Sequence, residues 1–475
     1  MTAMAALSKR AVIAGETLLL GWLLATEDLR LFGLLALGMV SALVIAAITF
    51  TSWPLGALLV LTVASAMPRL AATVGGLHLR PEDVAIGFVA FALCGQVLKK
   101  RRLPRLHLRT FDYFLIAYVG MNFFTSAVTS PQPSLTLRWA VLNAIAVSPY
   151  FLISLMVTDE SGLRRAFHLL LWVGAAESAF GILCFLSNRL FQTSVGVEAA
   201  QYGAIPGTFG TQYEANLFGS YTACCGIMFL TCFMFGARSR RAGYGLGLAI
   251  TLLGALISFS RSVLLALPVA ALFVIWAAIR RGQFRIRKLM PLAIGFALVI
   301  LAIGPFVLGF VRERFSTIDL SELGSDATSL TRIVQMAVAA EDVQAHPVLG
   351  TGTASFQLFF NWDDYIPGMQ GDSDAGGWVG NTPLRILHDT GIVGLAIFLM
   401  FLGFLGRAIQ KAVRKAEPGT RTALVALSAG LLLYAITFQA TEATILAFTW
   451  VHLGLLAAAV KLVQLAPSTS QATPS

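Results

Sequence analysis

Residues 256–268 read LISFSRSVLLALP, an apolar run with a single arginine, Arg261, inside it. From residue 242 to residue 279 that arginine is the sole formal charge, so 38 residues pass with one cation near their middle. An arginine at the centre of a membrane span costs roughly 2.5–3.5 kcal/mol on insertion scales. A run of this length is two spans, because one crossing of a roughly 30 Å hydrocarbon core takes about 20 residues. Arg261 then falls at the turn between them, among Ser258, Ser260 and Ser262, and the penalty largely disappears.

The rest of the chain has the same character. It is 475 residues long, 57% hydrophobic and 12% charged; a soluble domain carries about 25% charged residues. Charge-free apolar runs recur along almost the whole length, which predicts an all-α integral membrane protein, a polytopic bundle of about 12–14 transmembrane helices with one large extracytoplasmic loop. The expected spans are about 11–26, 31–50, 54–77, 82–98, 112–128, 139–157, 165–187, 213–236, 243–260, 262–279, 289–310, 391–406, 422–439 and 442–464. Lys9 and Arg10 before AVIAGETLLLGWLLA outline a signal peptide, but Glu16 interrupts the apolar core, so the segment reads as an uncleaved first span. The five cysteines all fall in apolar segments without metal-ligand spacing or a disulfide framework.

The net charge of +10 matters through its location. The basic clusters KKRRLPRLHLR (99–109), RSRR (238–241), RRGQFRIRK (280–288) and RAIQKAVRK (407–415) are squeezed between spans, which marks the cytoplasmic side and argues against nucleic acid. Fourteen crossings from a cytoplasmic N-terminus put every cluster inside and both termini in the cytoplasm. The segment 311–390 has four arginines, no lysine and eleven acidic residues, so it belongs outside. The expected organisation is a transmembrane region (1–310), this large loop (311–390), C-terminal spans (391–464) and a disordered tail (465–475).

The outer face then collects Arg80, Arg138, Arg261, Arg312, Arg314, Arg332 and Arg385. A guanidinium pairs bidentately with phosphate oxygens and keeps its charge in any surroundings. A ring of them at membrane level suits a phosphate or pyrophosphate on a lipid carrier. The alternative is that each pairs with a loop carboxylate or snorkels to headgroups. The aromatic stretch FQLFFNWDDYIPG (356–368) has two readings as well, a sugar-stacking surface or an amphipathic helix lying on the membrane. His78, His346 and His388 lie outside, no pair has zinc spacing, and the phosphate-loop pattern of ATP hydrolysis is absent, so neither a metal nor another cofactor is expected.

Three stretches in order resemble the O-antigen ligase and surface-polysaccharide polymerase superfamily of bacterial membrane glycosyltransferases. They are GTFGTQYEANLFGSY (207–221), SFSRSVLLALPVAAL (258–272), and TRIVQMAVAAEDVQAHPVLGTGTASF (331–356) followed by GNTPLRILHDTGIVGL (380–395). The resemblance implies a multi-pass enzyme of the bacterial inner membrane. Its donor would be an undecaprenyl-pyrophosphate-linked oligosaccharide, passed with inversion and without metal to a sugar hydroxyl of a glycan or lipid acceptor. Other polysaccharide-export proteins are further partners it implies, besides membrane lipids. On this reading Arg261 and Arg332 bind the pyrophosphate, Arg138 and Arg80 are secondary candidates for the same role, and Asn216 and Asn381 shape the donor groove.

The sequence departs from the family where ligases carry a histidine before the last-block asparagine. Here that residue is Gly380, followed by Asn381. The groups left to act as general base are Asp389, His388, Asp374 and Glu214, in that order, with His388 and Asp389 as the expected catalytic pair. The departure weakens a lipid A-core ligase in particular and leaves a glycan polymerase equally open. Two other classes compete: a transporter of a solute or lipid-linked glycan, for which Arg69 beside Pro68 is the one buried-looking charge, and a non-catalytic subunit of an export complex.

Overall fold

The computed structural model describes residues 53–70, 72–74, 77–100, 106–198, 207–280, 327–361 and 378–465. Helix α1 (Trp53–Ser65) leads to a ribbon of β1 (Ala72–Val74) and β2 (Leu77–Leu79), antiparallel with Thr73 opposite His78. Then follow α2 (Pro81–Lys100), α3 (Thr110–Val128), α4 (Pro133–Met156), α5 (Glu160–Phe191), α6 (Ala215–Phe235), α7 (Arg241–Ile257) and α8 (Arg261–Arg280). The C-terminal part consists of α9 (Ala327–Ala345), the single turn α10 (Ser355–Phe359), α11 (Thr382–Lys415), α12 (Pro418–Thr437) and α13 (Ala447–Leu465). Among the described residues eight helices are long and apolar enough to cross a membrane: α3, α4, α5, α6, α8, α11, α12 and α13. The chain is an all-α, multi-pass membrane protein. The expected spans 11–26, 31–50 and 289–310, and the tail from 466, lie outside the described residues.

Side-chain contacts fix which helix ends lie together. Phe114 of α3 stacks on Phe404 of α11 and Tyr118 meets Phe398, each pair 5.0 Å apart, so the two helices run antiparallel. Lys461 of α13 donates to Asp112 of α3 at 3.0 Å, as does Tyr150 of α4 at 2.7 Å, and Thr420 of α12 donates to Glu160 of α5 at 2.9 Å. These contacts gather Arg109, Arg164, Arg165 and the 407–415 cluster at one end. The connections 129–132, 258–260 and 438–446 lie at the other, called here the far end.

Lipid tails are as apolar as leucine, so packing and hydrogen bonds rather than water exclusion hold such helices together. Helix α6 is the axis: every residue from Leu217 to Met234 is buried, against α5, α7, α8 and α12. Its approach to the α7–α8 turn is close enough that a Cβ on Gly219 would sit 2.3 Å from Ser258 Oγ.

Two expected spans need correction. The span 54–77 is a 13-residue helix that stops at Ser65. Beyond it Pro68 lacks an amide proton to continue a ladder, and Arg69 instead donates its amide to the Thr211 carbonyl at 3.1 Å. The spans 422–439 and 442–464 are α12 and α13, separated not by two residues but by the loop 438–446.

Helix α11 is broken near the far end. Gly391 has φ 64° and ψ −171°, a conformation open in practice only to glycine. The segment 347–352 fills the break: Thr351 and Gly352 donate amides to the carbonyls of His388 and Asp389 (2.9 and 3.0 Å), and Ile392 donates to the Pro347 carbonyl (2.9 Å). The backbone groups of His388, Asp389 and Ile392 that the break would orphan in an apolar setting are thus paired.

Candidate active site at the far end

Arg261 is the first residue of α8, with three residues between it and the end of α7 at Ile257; the middle one, Phe259, is in the left-handed region (φ 52°). That reversal aims Ser260 at the start of α6, where its hydroxyl donates to Asn216 Oδ1 at 2.8 Å. Two residues before Asn216, Glu214 accepts from the hydroxyl of Thr441 in the 438–446 loop. The neighbouring carbonyl, of Ala440, accepts from Arg332 Nη1 of α9. A chain of contacts therefore runs from the Arg261 turn through Asn216 and Glu214 to Arg332. Arg261, Asn216, Glu214 and Arg332 are all partly exposed.

The 438–446 loop gathers more than these. Asn381 caps α11 with its Oδ1 on the Leu384 amide (2.8 Å) and donates Nδ2 to the Gln439 carbonyl (3.0 Å). Thr382 donates its amide to Phe438 and its hydroxyl to the Thr441 carbonyl. Arg80 reaches the Ile445 carbonyl at 3.2 Å. Sequence reasoning missed this loop because alanines and an isoleucine carry the apolar average across it. The signal that was there is four polar residues, Gln439, Thr441, Glu442 and Thr444, crowded between two apolar runs.

The other expected residues have distinct surroundings. Arg80 grips both oxygens of Asp83 at 3.1 Å and lies 2.9 Å from Glu82. Burial works against its charge, but these two carboxylates raise its pKa above the ordinary arginine value. Arg138 is exposed in the second turn of α4. Arg385 is buried, 2.7 Å from Glu442, 3.0 Å from Thr444 and 3.3 Å from Asp389. Arg69, the charge that suggested a transporter, lies beyond the end of α1 with its guanidinium 3.8 Å above the Phe209 ring and a bond to the Tyr213 carbonyl at 3.3 Å. Burial lowers its pKa, against the pull of Glu198. Arg312, Arg314 and Asp374 fall outside the described residues.

His388 and Asp389 are 2% and 3% exposed. One ring nitrogen of His388 lies 3.1 Å from Asp389 Oδ1, the other 3.1 Å from Asp342 Oδ2 of α9. Asp389 Oδ2 also accepts from the Ala354 amide at 2.9 Å. Phe356 packs edge-on to the His388 ring and stacks on Phe360. Of the described part of the aromatic stretch, Phe356 is inner packing while Phe359 and Asn361 are exposed, and Ser355–Phe359 forms one helical turn. At Gly380 a Cβ would meet nothing within 4 Å, so the glycine there is not a demand of packing. Among the described residues no group of three or more His, Cys, Asp or Glu side chains converges on one point.

The family model described as O-Antigen ligase matches residues 246–399, about a third of the chain. Over residues 246–399 the chain is similar to the O-antigen ligase family. The matched segment runs from within α7, through the Arg261 turn, to the middle of α11, and so contains Arg332, Asn381, His388 and Asp389; the resembling stretch 207–221 lies before it. No curated protein matches the chain. A solved structure described as "Structural coordination of polymerization and crosslinking by a peptidoglycan synthase complex" has a chain similar to this one at 14% identity. The similarity covers 74% of this chain and 95% of that one, with a TM-score of 0.36.

Proposed function

We propose that this protein is a metal-independent, inverting glycosyltransferase of the O-antigen ligase and polymerase type. It moves an undecaprenyl-pyrophosphate-linked glycan to a sugar hydroxyl of an acceptor on the outer face of the bacterial inner membrane, in surface polysaccharide synthesis. The supporting observation is the contact chain that brings the Arg261 turn and Arg332 to one site through Asn216 and Glu214. Helices α6, α8 and α11 all begin at this end, so the positive ends of their dipoles add to the two guanidinium charges. Such an arrangement suits a pyrophosphate whose charge grows as the glycosidic bond breaks. Arg138 and Arg80 are assigned to the rim and to the scaffold. His388 and Asp389, buried and paired on every side, hold the junction of α9 and α11.

The test is transfer from lipid-linked glycan by the purified protein in proteoliposomes. Removing one preorganised transition-state donor lowers kcat by about 10²–10³-fold. Arg261→Ala is expected to fall by that amount and Arg261→Lys by nearly as much, because a point charge loses the fork. An Arg261→Ala protein with wild-type turnover would refute the assignment.

A further inference from the structure

Resting on that reading, we infer that Glu214 is the general base that takes the proton from the acceptor hydroxyl. A base must reach the attacking oxygen directly or through one water. His388 and Asp389 do not offer that, since their polar atoms are spent on Asp342, Arg385 and the Ala354 amide inside the protein. They also lie beside Asp342, ten residues along α9 from Arg332, a displacement of about 15 Å on a helix. Asp342 itself is exposed but shares that distance.

Glu214 belongs to the same contact chain as the Arg261 turn and Arg332. It occupies the N-cap position of α6, yet its side chain makes no capping bond. That duty has passed to Glu198, whose Oε1 accepts from the Ala215 amide at 2.9 Å. The Glu214 carboxylate is turned instead toward the 438–446 loop, where Thr441 fixes one oxygen and leaves the other for a ligand. An acidic residue at a helix start ordinarily serves the helix. Here a second glutamate does that work.

The step balances. The acceptor hydroxyl gives its proton to the open oxygen of Glu214 as its own oxygen bonds to the anomeric carbon. The bond from that carbon to the pyrophosphate oxygen breaks on the opposite face, away from Glu214, and the electron pair leaves with the polyprenyl pyrophosphate, whose charge Arg261 and Arg332 neutralise. Glu214 then returns the proton to water.

The experiment uses full-length protein in proteoliposomes, lipid-linked glycan extracted from a strain lacking this protein, and that strain's envelope glycan as acceptor. General-base catalysis contributes about 10²–10⁴-fold. Glu214→Gln is expected to lose activity within that range, with partial recovery in Glu214→Asp. Thr441→Val, which removes the same loop contact but keeps the carboxylate, is expected to stay within tenfold of wild type. Azide needs no deprotonation, so sodium azide should restore donor consumption to Glu214→Ala, yielding the glycosyl azide, and should not restore Arg261→Ala. Full activity in Glu214→Gln would overturn the assignment. So would a Glu214→Ala protein that azide leaves inert, or a Thr441→Val protein as damaged as Glu214→Gln, since either makes the residue structural. A wild-type protein that consumes no donor would overturn the transferase reading itself and the base with it.

Discussion

Arg80, Arg261 and Arg385 look alike in the sequence, and their neighbours give them different work. Arg261 was legible as a turn residue from the length of the apolar run alone. The pairing of Arg385 with Glu442, 57 residues away, was not, because only the folded α12–α13 hairpin brings the two together. Removing one partner of a buried ion pair costs about 3–5 kcal/mol, since the other charge is left buried and alone. Arg385→Met should therefore denature at a clearly lower temperature than wild type in detergent. Equal melting of the two proteins would mean that the buried network carries no stability. The inferred role of Glu214 was the least legible feature, because the burial of His388 and Asp389 cannot be read from their spacing.

At the scale of elements, the period and length of apolar runs located most helices, and errors arose where small neutral residues blur an end. Helix α1 was drawn too long through the apolar residues of the ribbon, and the 438–446 loop was almost erased. The break in α11 was visible only as a glycine in a conspicuous motif, HDTG. Its reason is the backbone of 347–352 lying against it: a Cβ on Gly391 would stand 2.1 Å from the Val348 carbonyl oxygen. A strained φ of this kind costs about 1–3 kcal/mol before any collision is counted. Gly391→Ala should loosen 347–352 from α11, seen as faster proteolysis of the α9–α11 region in intact membranes. Cleavage at the wild-type rate would show that the break tolerates a side chain.

Across the whole molecule, the ends carrying Arg109 and the 407–415 cluster lie together, and from the positive-inside rule we propose that this end is cytoplasmic. Gln132 and Glu417 are both exposed, at opposite ends of the bundle. In a Cys94→Ser background, with Cys184, Cys224, Cys225 and Cys232 buried, Gln132→Cys should react with a membrane-impermeant maleimide in whole cells. Glu417→Cys should react only after permeabilisation; the reverse pattern would invert the orientation.

The 438–446 loop also sets an order of events in the life of the chain. Arg80, Glu214, Arg332, Asn381 and Arg385 all close on a segment that leaves the ribosome after every one of them. Synthesis and insertion proceed from the N-terminus, so these side chains wait at the membrane surface until the last hairpin, α12 with α13, arrives. A nascent chain, or one truncated before α12, thus presents arginines without a finished site, and competence for the proposed donor waits on insertion of α12 and α13.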